Sequence, residues 1–330
     1  MINPFTAIGH YPGDIAALEA ELRAGLAQFW QTAATVLEGS TIQLIPPDQA
    51  TFSLPRNFFS TLFLYSYHRI GIPAERRILY AAVNQCLRGM VTGCDNLLDD
   101  EYKTTLETDL PAQAHRFRSV LDIMVADRVL FALLVAHCQT HDLPVELALR
   151  ASTASLQALT KSGAQEASEE GGIDERLAPE VILRTIHHYK TGLLFQSTWV
   201  IPTLFEETIT PEALAVQEAL HTIGIGCQIL DDIVDLMIDM RERRHNYVAS
   251  IIAHREPPAV WQRLHALLAT EQTAAHFYAE FPDVSARMKI EALSMLESGL
   301  RALFAKHHQG WVRPAAAFIA DRIGVQTSRY

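Results

Sequence analysis

With 49% hydrophobic and 20% charged side chains, this 330-residue chain has the apolar content of a folded globule, which excludes a disordered or fibrous polymer. Its formal net charge of −11, from 27 Lys plus Arg against 38 Asp plus Glu, repels a phosphate backbone and argues against nucleic acid as a partner. An acidic protein acting on an anionic substrate needs local cations, which points to a divalent metal.

The N-terminal stretch Met1 to Asp14 has no basic start followed by an apolar run, so it does not read as a signal or transit peptide. Apolar side chains then recur at helical spacing over Asp14–Leu37, Ser60–Ile70, Arg76–Leu98, Ala114–His141, Pro144–Lys161, Pro179–Phe205, Pro211–Met240, Pro257–Ala279 and Val284–His307. No comparable series of alternating runs predicts a sheet, so an all-α fold is expected. Pro144, Pro179, Pro211 and Pro257 fall at or just before a first helical turn, where a missing N–H costs little. Residues 45–55, 168–179 and the stretch from His254 mix Pro, Gly and polar side chains and read as loops between packed helices. A large helical bundle can hold one core at this length, so a single domain over residues 1–330 is expected. The longest uncharged stretch, Thr191 to Phe205, is shorter than the roughly 20 residues a bilayer span needs, so no transmembrane segment is expected. Cys86, Cys94, Cys138 and Cys227 lie in apolar helical stretches without CxxC pairing and read as reduced core thiols of a soluble, cytoplasmic protein.

Two acidic clusters carry the chemistry. Cys94 to Glu101 ends a long helix, and Asp95 and Asp99, four apart, project from one face, where like charges repel unless a cation lies between them. In the second cluster Asp231, Asp235 and Asp239 form a ladder along one stripe of an otherwise apolar segment. Inward-facing, three such carboxylates require metal or protonation. Carboxylates on facing helices suit a site built in a bundle core, and Mg2+ takes one or two carboxylates together with phosphate oxygens. No His/Cys set has zinc spacing, and His187-His188 and His307-His308 are adjacent pairs expected to have diverging side chains.

At these residues the sequence resembles the trans-isoprenyl diphosphate synthases, the polyprenyl synthetase family within the class I isoprenoid enzymes, over roughly Leu54 to Arg322. Asp95-Asn96-Leu97-Leu98-Asp99 is similar to the family's first motif DDxxD, with Asn96 in place of the second Asp. The stretch from Gly224 through Gln228 to Asp235 is similar to its second motif, GxxFQxxDDxxD, with Cys227 at the aromatic position. Ala126 to Leu130 resembles the family's GD-x-L-L helix, and Lys190-Thr191 its Lys-Thr pair. The resemblance implies a class I isoprenoid synthase helical bundle with a central cavity, a homodimer, Mg2+ as cofactor and an allylic prenyl diphosphate as substrate. It implies Asp95, Asp99, Asp231, Asp235 and Asp239 as metal ligands, and Lys190, Thr191 and Gln228 as contacts of the diphosphate, with Arg184 and Arg244 as further cations. Val91 and Met90, four and five before the first motif, stand where family members gate product length, which implies chains of fifteen carbons or more. Phe58, Phe59, Phe63, Phe195 and Trp199 are aromatic wall candidates for shielding a carbocation.

The departures bear on the reaction. Where elongating members carry Gly-Lys-Arg, a histidine and an arginine pair for a second diphosphate, this chain offers Arg56, Arg88 and Lys103. The Asp231, Asp235, Asp239 spacing also reproduces the terpene cyclase pattern N-x-x-x-S-x-x-x-E. His245-Asn246-Tyr247-Val248 is similar to the segment that follows it, and Arg184 lies near the cyclase diphosphate-sensing position. The sequence therefore leaves prenyl transfer to an acceptor, with cyclisation and a non-catalytic subunit of a heteromeric synthase as alternatives. Retention of both acidic clusters argues against the last.

Overall fold

The computed structural model describes residues 14–53, 56–99, 102–206, 209–268 and 274–327. Among the described residues every regular element is a helix, and Leu44 and Thr108 form an isolated antiparallel bridge. Helices α1 (Asp14–Leu37), α2 (Phe58–Arg69), α3 (Ala74–Leu98), α4 (His115–Thr140) and α5 (Val145–Ala167) follow the apolar periodicity to within two turns at either end.

The stretch Pro179–Phe205 is broken where one helix is expected. It consists of α6 (Pro179–Ile182), a π-helix over Leu183–Gly192, α7 (Leu193–Ser197) and α8 (Val200–Phe205). Likewise Pro211–Met240 divides at Asp235 into α9 (Pro211–Val234) and α10 (Leu236–Glu242). Then come α11 (Tyr247–Arg255), α12 (Pro258–Leu268), α13 (Ala274–Glu280), α14 (Pro282–Leu303) and α15 (Val312–Ile323).

Contacts gather the chain into two compact units, Ile2–Leu159 with Thr198–Ala213, and Thr160–Ser197 with Leu214–Tyr330. In the first unit α3 is held closely against α4. A Cβ on Gly93 would lie 2.8 Å from the Ser119 carbonyl oxygen and 2.7 Å from Ile123 Cγ1, so glycine is what lets the helices approach there. That contact fixes the turn bearing Asp95. Trp199 belongs to this unit's core: its indole N–H donates to Ser66 Oγ at 3.0 Å, and its ring lies 5.2 Å from that of Tyr67. Trp199 and Phe58, 1% and 2% exposed, are thus core residues and not the cavity-wall aromatics that the sequence offers.

In the second unit α9 packs on α14, where a Cβ at Gly226 would lie 2.9 Å from Leu296 Cγ. By length and composition α9 passes for a membrane span, but 67% of its most apolar window is buried within the protein, as in a core helix. Cys86, Cys138 and Cys227 are buried as expected, whereas Cys94 is exposed. It lies one residue before Asp95, at a helix end where Leu97 and Leu98 are exposed as well.

Candidate active site

The second acidic cluster spans the end of α9, the break at Asp235 and the start of α10. Gly224 allows α9 to touch the π-helix: a Cβ there would lie 2.7 Å from the Thr191 carbonyl oxygen and 3.2 Å from the Phe195 ring. Hydrogen bonding runs through the break, from Asp235 N–H to the Asp231 carbonyl at 2.8 Å and from Asp239 N–H to the Asp235 carbonyl at 2.9 Å. The ladder of three aspartates therefore persists although the helix is not continuous.

Asp232, absent from the ladder, is the anchored carboxylate. It is 3% exposed and accepts hydrogen bonds from His187 Nε2 at 2.9 Å, from the Tyr247 backbone N–H and from Gln228 Nε2 at 3.1 Å. Burial works against its charge, but His187 and these donors outweigh it and hold the carboxyl below its ordinary value. Gln228 Nε2 also reaches Asp231 Oδ2 at 3.1 Å, and Gln228 Oε1 accepts from the Thr191 hydroxyl. Asn246 caps α11 by accepting from the Ala249 N–H, while its amide donates to the Asp232 carbonyl at 2.7 Å and to Asp239 Oδ2 at 2.8 Å.

Lys190 and Thr191 come from the π-helix, whose wider turn directs His187 to Asp232 and His188 Nδ1 to His221 Nε2 at 2.9 Å. The two imidazoles diverge as expected, whereas the adjacent His307 and His308 do not: their ring centroids lie 4.0 Å apart. Lys190 Nζ pairs with Glu166 Oε2 at 3.1 Å, and its carbonyl accepts from Ser162 Oγ at 2.8 Å. Burial disfavours the ammonium, but Glu166, Asp239 and Asp232 more than offset that and keep it protonated.

The carboxylates are short of positive charge. Burial, then repulsion from Asp235 and Asp232, pushes the Asp231 carboxyl up to about 7. Burial and Asp232 push Asp239 well above its ordinary value, despite the Asn246 amide and Lys190. Among the described residues no group of three or more His, Cys, Asp or Glu side chains stands where it could hold a metal ion. Mg2+ takes few protein ligands and completes its shell with water and phosphate oxygens, so one or two of these carboxylates would suffice to hold it.

The first cluster lies at the end of α3. Asp95 is half-buried, Asp99 is the exposed C-cap, and Asp100 and Glu101 are outside the described residues. Asn96, 3% exposed, stands between Asp95 and Asp99 for a visible reason. Its amide donates to the Lys103 carbonyl at 3.0 Å and its oxygen accepts from the Lys103 N–H at 2.8 Å, a two-way clamp that a carboxylate cannot make. The Lys103 side chain is exposed, Met90 is buried in the core and Val91 is half-buried.

In the same unit Arg56 and Arg88 line one cavity of about 230 Å³, with Asn57, Gln85, Asp48 and Glu107. Arg88 Nη1 donates to Asn57 Oδ1 at 3.2 Å. Gln85 Oε1 and Trp30 Nε1, both on this wall, are buried polar atoms without a hydrogen-bond partner. Leu54 and Pro55 of the early segment are outside the described residues.

Arg184 and Arg244 behave differently from the other site residues. Arg184 is exposed and its Nε donates back to the Glu180 carbonyl at 3.1 Å, and Arg244 pairs with Glu242 at 2.9 Å. The sequence reading missed Asp232, His187, Asn246 and Glu166. Asp232 carries a local signal in the doubled aspartate of the second motif, and Asn246 in the segment that follows the ladder.

No protein-family model matches the sequence, and no curated protein does. Solved structures do match. A geranylgeranyl pyrophosphate synthase from Lactobacillus brevis aligns at a TM-score of 0.59 with 14% identity, covering 96% of this chain and 100% of that one. A polyprenyl synthase from Caulobacter crescentus, solved with calcium and isoprenyl diphosphate, aligns at 0.57 with 15% identity over 94% and 99%. A decaprenyl diphosphate synthase from Rhodobacter capsulatus aligns at 0.55 with 15% identity over 97% and 99%. The chain therefore has the all-α fold of the polyprenyl and geranylgeranyl diphosphate synthases.

Proposed function

We propose that this protein ionises an allylic isoprenoid diphosphate of fifteen carbons or more with Mg2+ and transfers the prenyl cation to an acceptor. The observation that carries the reading is the partly neutralised carboxylate set of α9 and α10, with Asp231 pushed up to about 7 beside the Lys190–Glu166 pair. The Caulobacter crescentus enzyme of the same fold, solved with a divalent cation and an isoprenyl diphosphate, supports it.

Asp231, Asp235 and Asp239 are the metal ligands in this reading, and Asp95 and Asp99 are proposed as further ones. Bound Mg2+ supplies Lewis-acid polarisation of the diphosphate oxygens. Lys190 Nζ stabilises the negative charge that grows on the departing diphosphate, an interaction stronger in the transition state than in the ground state. Glu166 and the Ser162 hydroxyl hold Lys190 in place from side chain and backbone. Gln228 ties Thr191 to Asp231 and so couples the diphosphate-binding helix to the metal-binding one.

Arg56 and Arg88 on one cavity wall favour a second anionic reactant such as isopentenyl diphosphate, with the orphaned Gln85 and Trp30 groups as further polar contacts. Cyclisation without an acceptor is the second reading. It is favoured by Asp48 and Glu107, which share that cavity and cancel the formal charge of the two arginines. Incubation with farnesyl and geranylgeranyl diphosphate and Mg2+, with and without isopentenyl diphosphate, separates the two. A lengthened diphosphate establishes transfer, a hydrocarbon or alcohol establishes cyclisation, and no diphosphate release sinks both and leaves the non-catalytic subunit. We also propose a cytoplasmic homodimer.

A further inference from the structure

Residues 168–178 form a strap fastened to the turn between α10 and α11. The Ile173 N–H donates to the Arg243 carbonyl at 2.7 Å, Arg243 Nη2 donates to the Ile173 carbonyl at 2.6 Å, and the His245 N–H donates to Glu169 Oε2 at 2.7 Å. Glu169 is 4% exposed, so this fastening is part of the interior. Arg243 takes a left-handed backbone (φ 57°) to make the turn, a conformation that costs energy for a residue with a Cβ.

The strap delivers Arg176. Its guanidinium lies over the Trp261 ring, 5.2 Å from the centroid, and Nη2 contacts Met240 Sδ at 3.3 Å, next to Asp239. Nη1 is buried and has no acceptor. The Nδ1 atom of His245, on the turn to which the strap is fastened, is also buried without a partner. Among the described residues of this unit, Arg176 is the arginine with a buried N–H lacking an acceptor. A guanidinium carries five donors in a rigid fork suited to phosphate oxygens, and a buried donor left unpaired is a standing cost that an arriving anion removes. Arg184, turned to its own helix, and Arg244, paired with Glu242, have no such donor.

We infer that Arg176 is the arginine that binds the substrate diphosphate, through its free Nη1, at the Asp239 end of the metal-binding set. The inference rests on the diphosphate chemistry proposed above and transfers to Arg176 the role that the sequence resemblance gives to Arg184 and Arg244. The fastened strap sets the guanidinium beside α10 before substrate arrives.

The test measures pyrophosphate affinity by calorimetry in the presence of Mg2+, together with kcat and KM for geranylgeranyl diphosphate. Wild type is compared with Arg176→Gln, Arg176→Lys and Arg184→Gln. Arg176→Gln is expected to weaken pyrophosphate binding at least tenfold, Arg176→Lys to recover part of that loss, and Arg184→Gln to stay within twofold of wild type. Thermal melting of each variant separates binding from folding. A lowered melting temperature with unchanged pyrophosphate affinity makes Arg176 merely structural and overturns the inference. If Arg176→Gln does not fold, Arg176→Lys decides: wild-type affinity and KM overturn the inference, and a several-fold loss with retained melting supports it. Turnover by wild type with unaffected Arg176 variants overturns the inference but leaves the proposed reaction standing. Pyrophosphate binding that depends on Arg176 without any turnover supports the inference and sinks the reaction. A wild type that binds no pyrophosphate overturns both.

Discussion

Adjacent aspartates at 231 and 232 should respond to the same substitution in opposite directions. The Asp231 carboxyl, lifted from 3.8 to about 7, holds a proton in the folded state that the unfolded chain has released, so the metal-free protein loses stability as pH rises from about 4 to 7. At about 1.4 kcal/mol per tenfold change in proton affinity, the ceiling of that cost at pH 8 is about 4 kcal/mol. The side chain is only partly buried, and solvent screening reduces the expected value to about 1–2 kcal/mol. Asp231→Asn removes the charge and can still accept from Gln228, so the metal-free variant should be more stable than wild type at pH 8 by that amount and indistinguishable at pH 4. Asp232→Asn instead breaks a satisfied buried network with His187 and the Tyr247 N–H and should cost about 3–5 kcal/mol at pH 8. Urea unfolding with EDTA at both pH values measures the pair. Destabilisation by Asp231→Asn at pH 8, or stabilisation by Asp232→Asn, refutes the division into a metal-ready and an anchored carboxylate.

Gly224→Ala forces a methyl against the Thr191 carbonyl and should destabilise by about 1–3 kcal/mol in urea unfolding while lowering kcat, because the π-helix bearing Lys190 must shift. Asn246→Ala removes the α11 cap and the hydrogen bonds to the Asp232 carbonyl and Asp239, which should cost about 2–4 kcal/mol and raise the Mg2+ concentration needed for half-maximal activity. Arg56→Ala and Arg88→Ala should raise the KM for isopentenyl diphosphate at least tenfold and leave that for the allylic substrate within twofold; equal effects on both substrates would contradict a separate acceptor cavity. Phe117, Val120 and Met124 form an exposed apolar stripe on α4, and Met124→Glu should shift a homodimer toward monomer in sedimentation analysis.

Helix positions were legible in the sequence because apolar spacing reports which face is buried, and α1 runs over Asp14–Leu37 as the pattern requires. The breaks were not. A π-helix and an α-helix bury similar side chains, and the contact that goes with the wider turn, Gly224 against the Thr191 carbonyl, joins segments about thirty residues apart. The ladder of Asp231, Asp235 and Asp239 was legible from spacing, but the anchoring of Asp232 depends on His187, 45 residues away, and on the Tyr247 backbone. In the sequence Asn96 is only a replacement for the second Asp of a similar motif, whereas its clamp on Lys103 appears once both ends of the hydrogen-bond pair are located. Arg184 stands out by its distance along the chain from Asp231, which says nothing of where a side chain finds its acceptor.

The most direct measurement is inorganic diphosphate release from geranylgeranyl diphosphate during a Mg2+ titration, comparing wild type with Asp231→Ala/Asp235→Ala. The account predicts saturable, EDTA-reversible release by wild type and at least a hundredfold loss in the double variant. Release that needs no divalent cation, or that survives loss of both carboxylates, contradicts it.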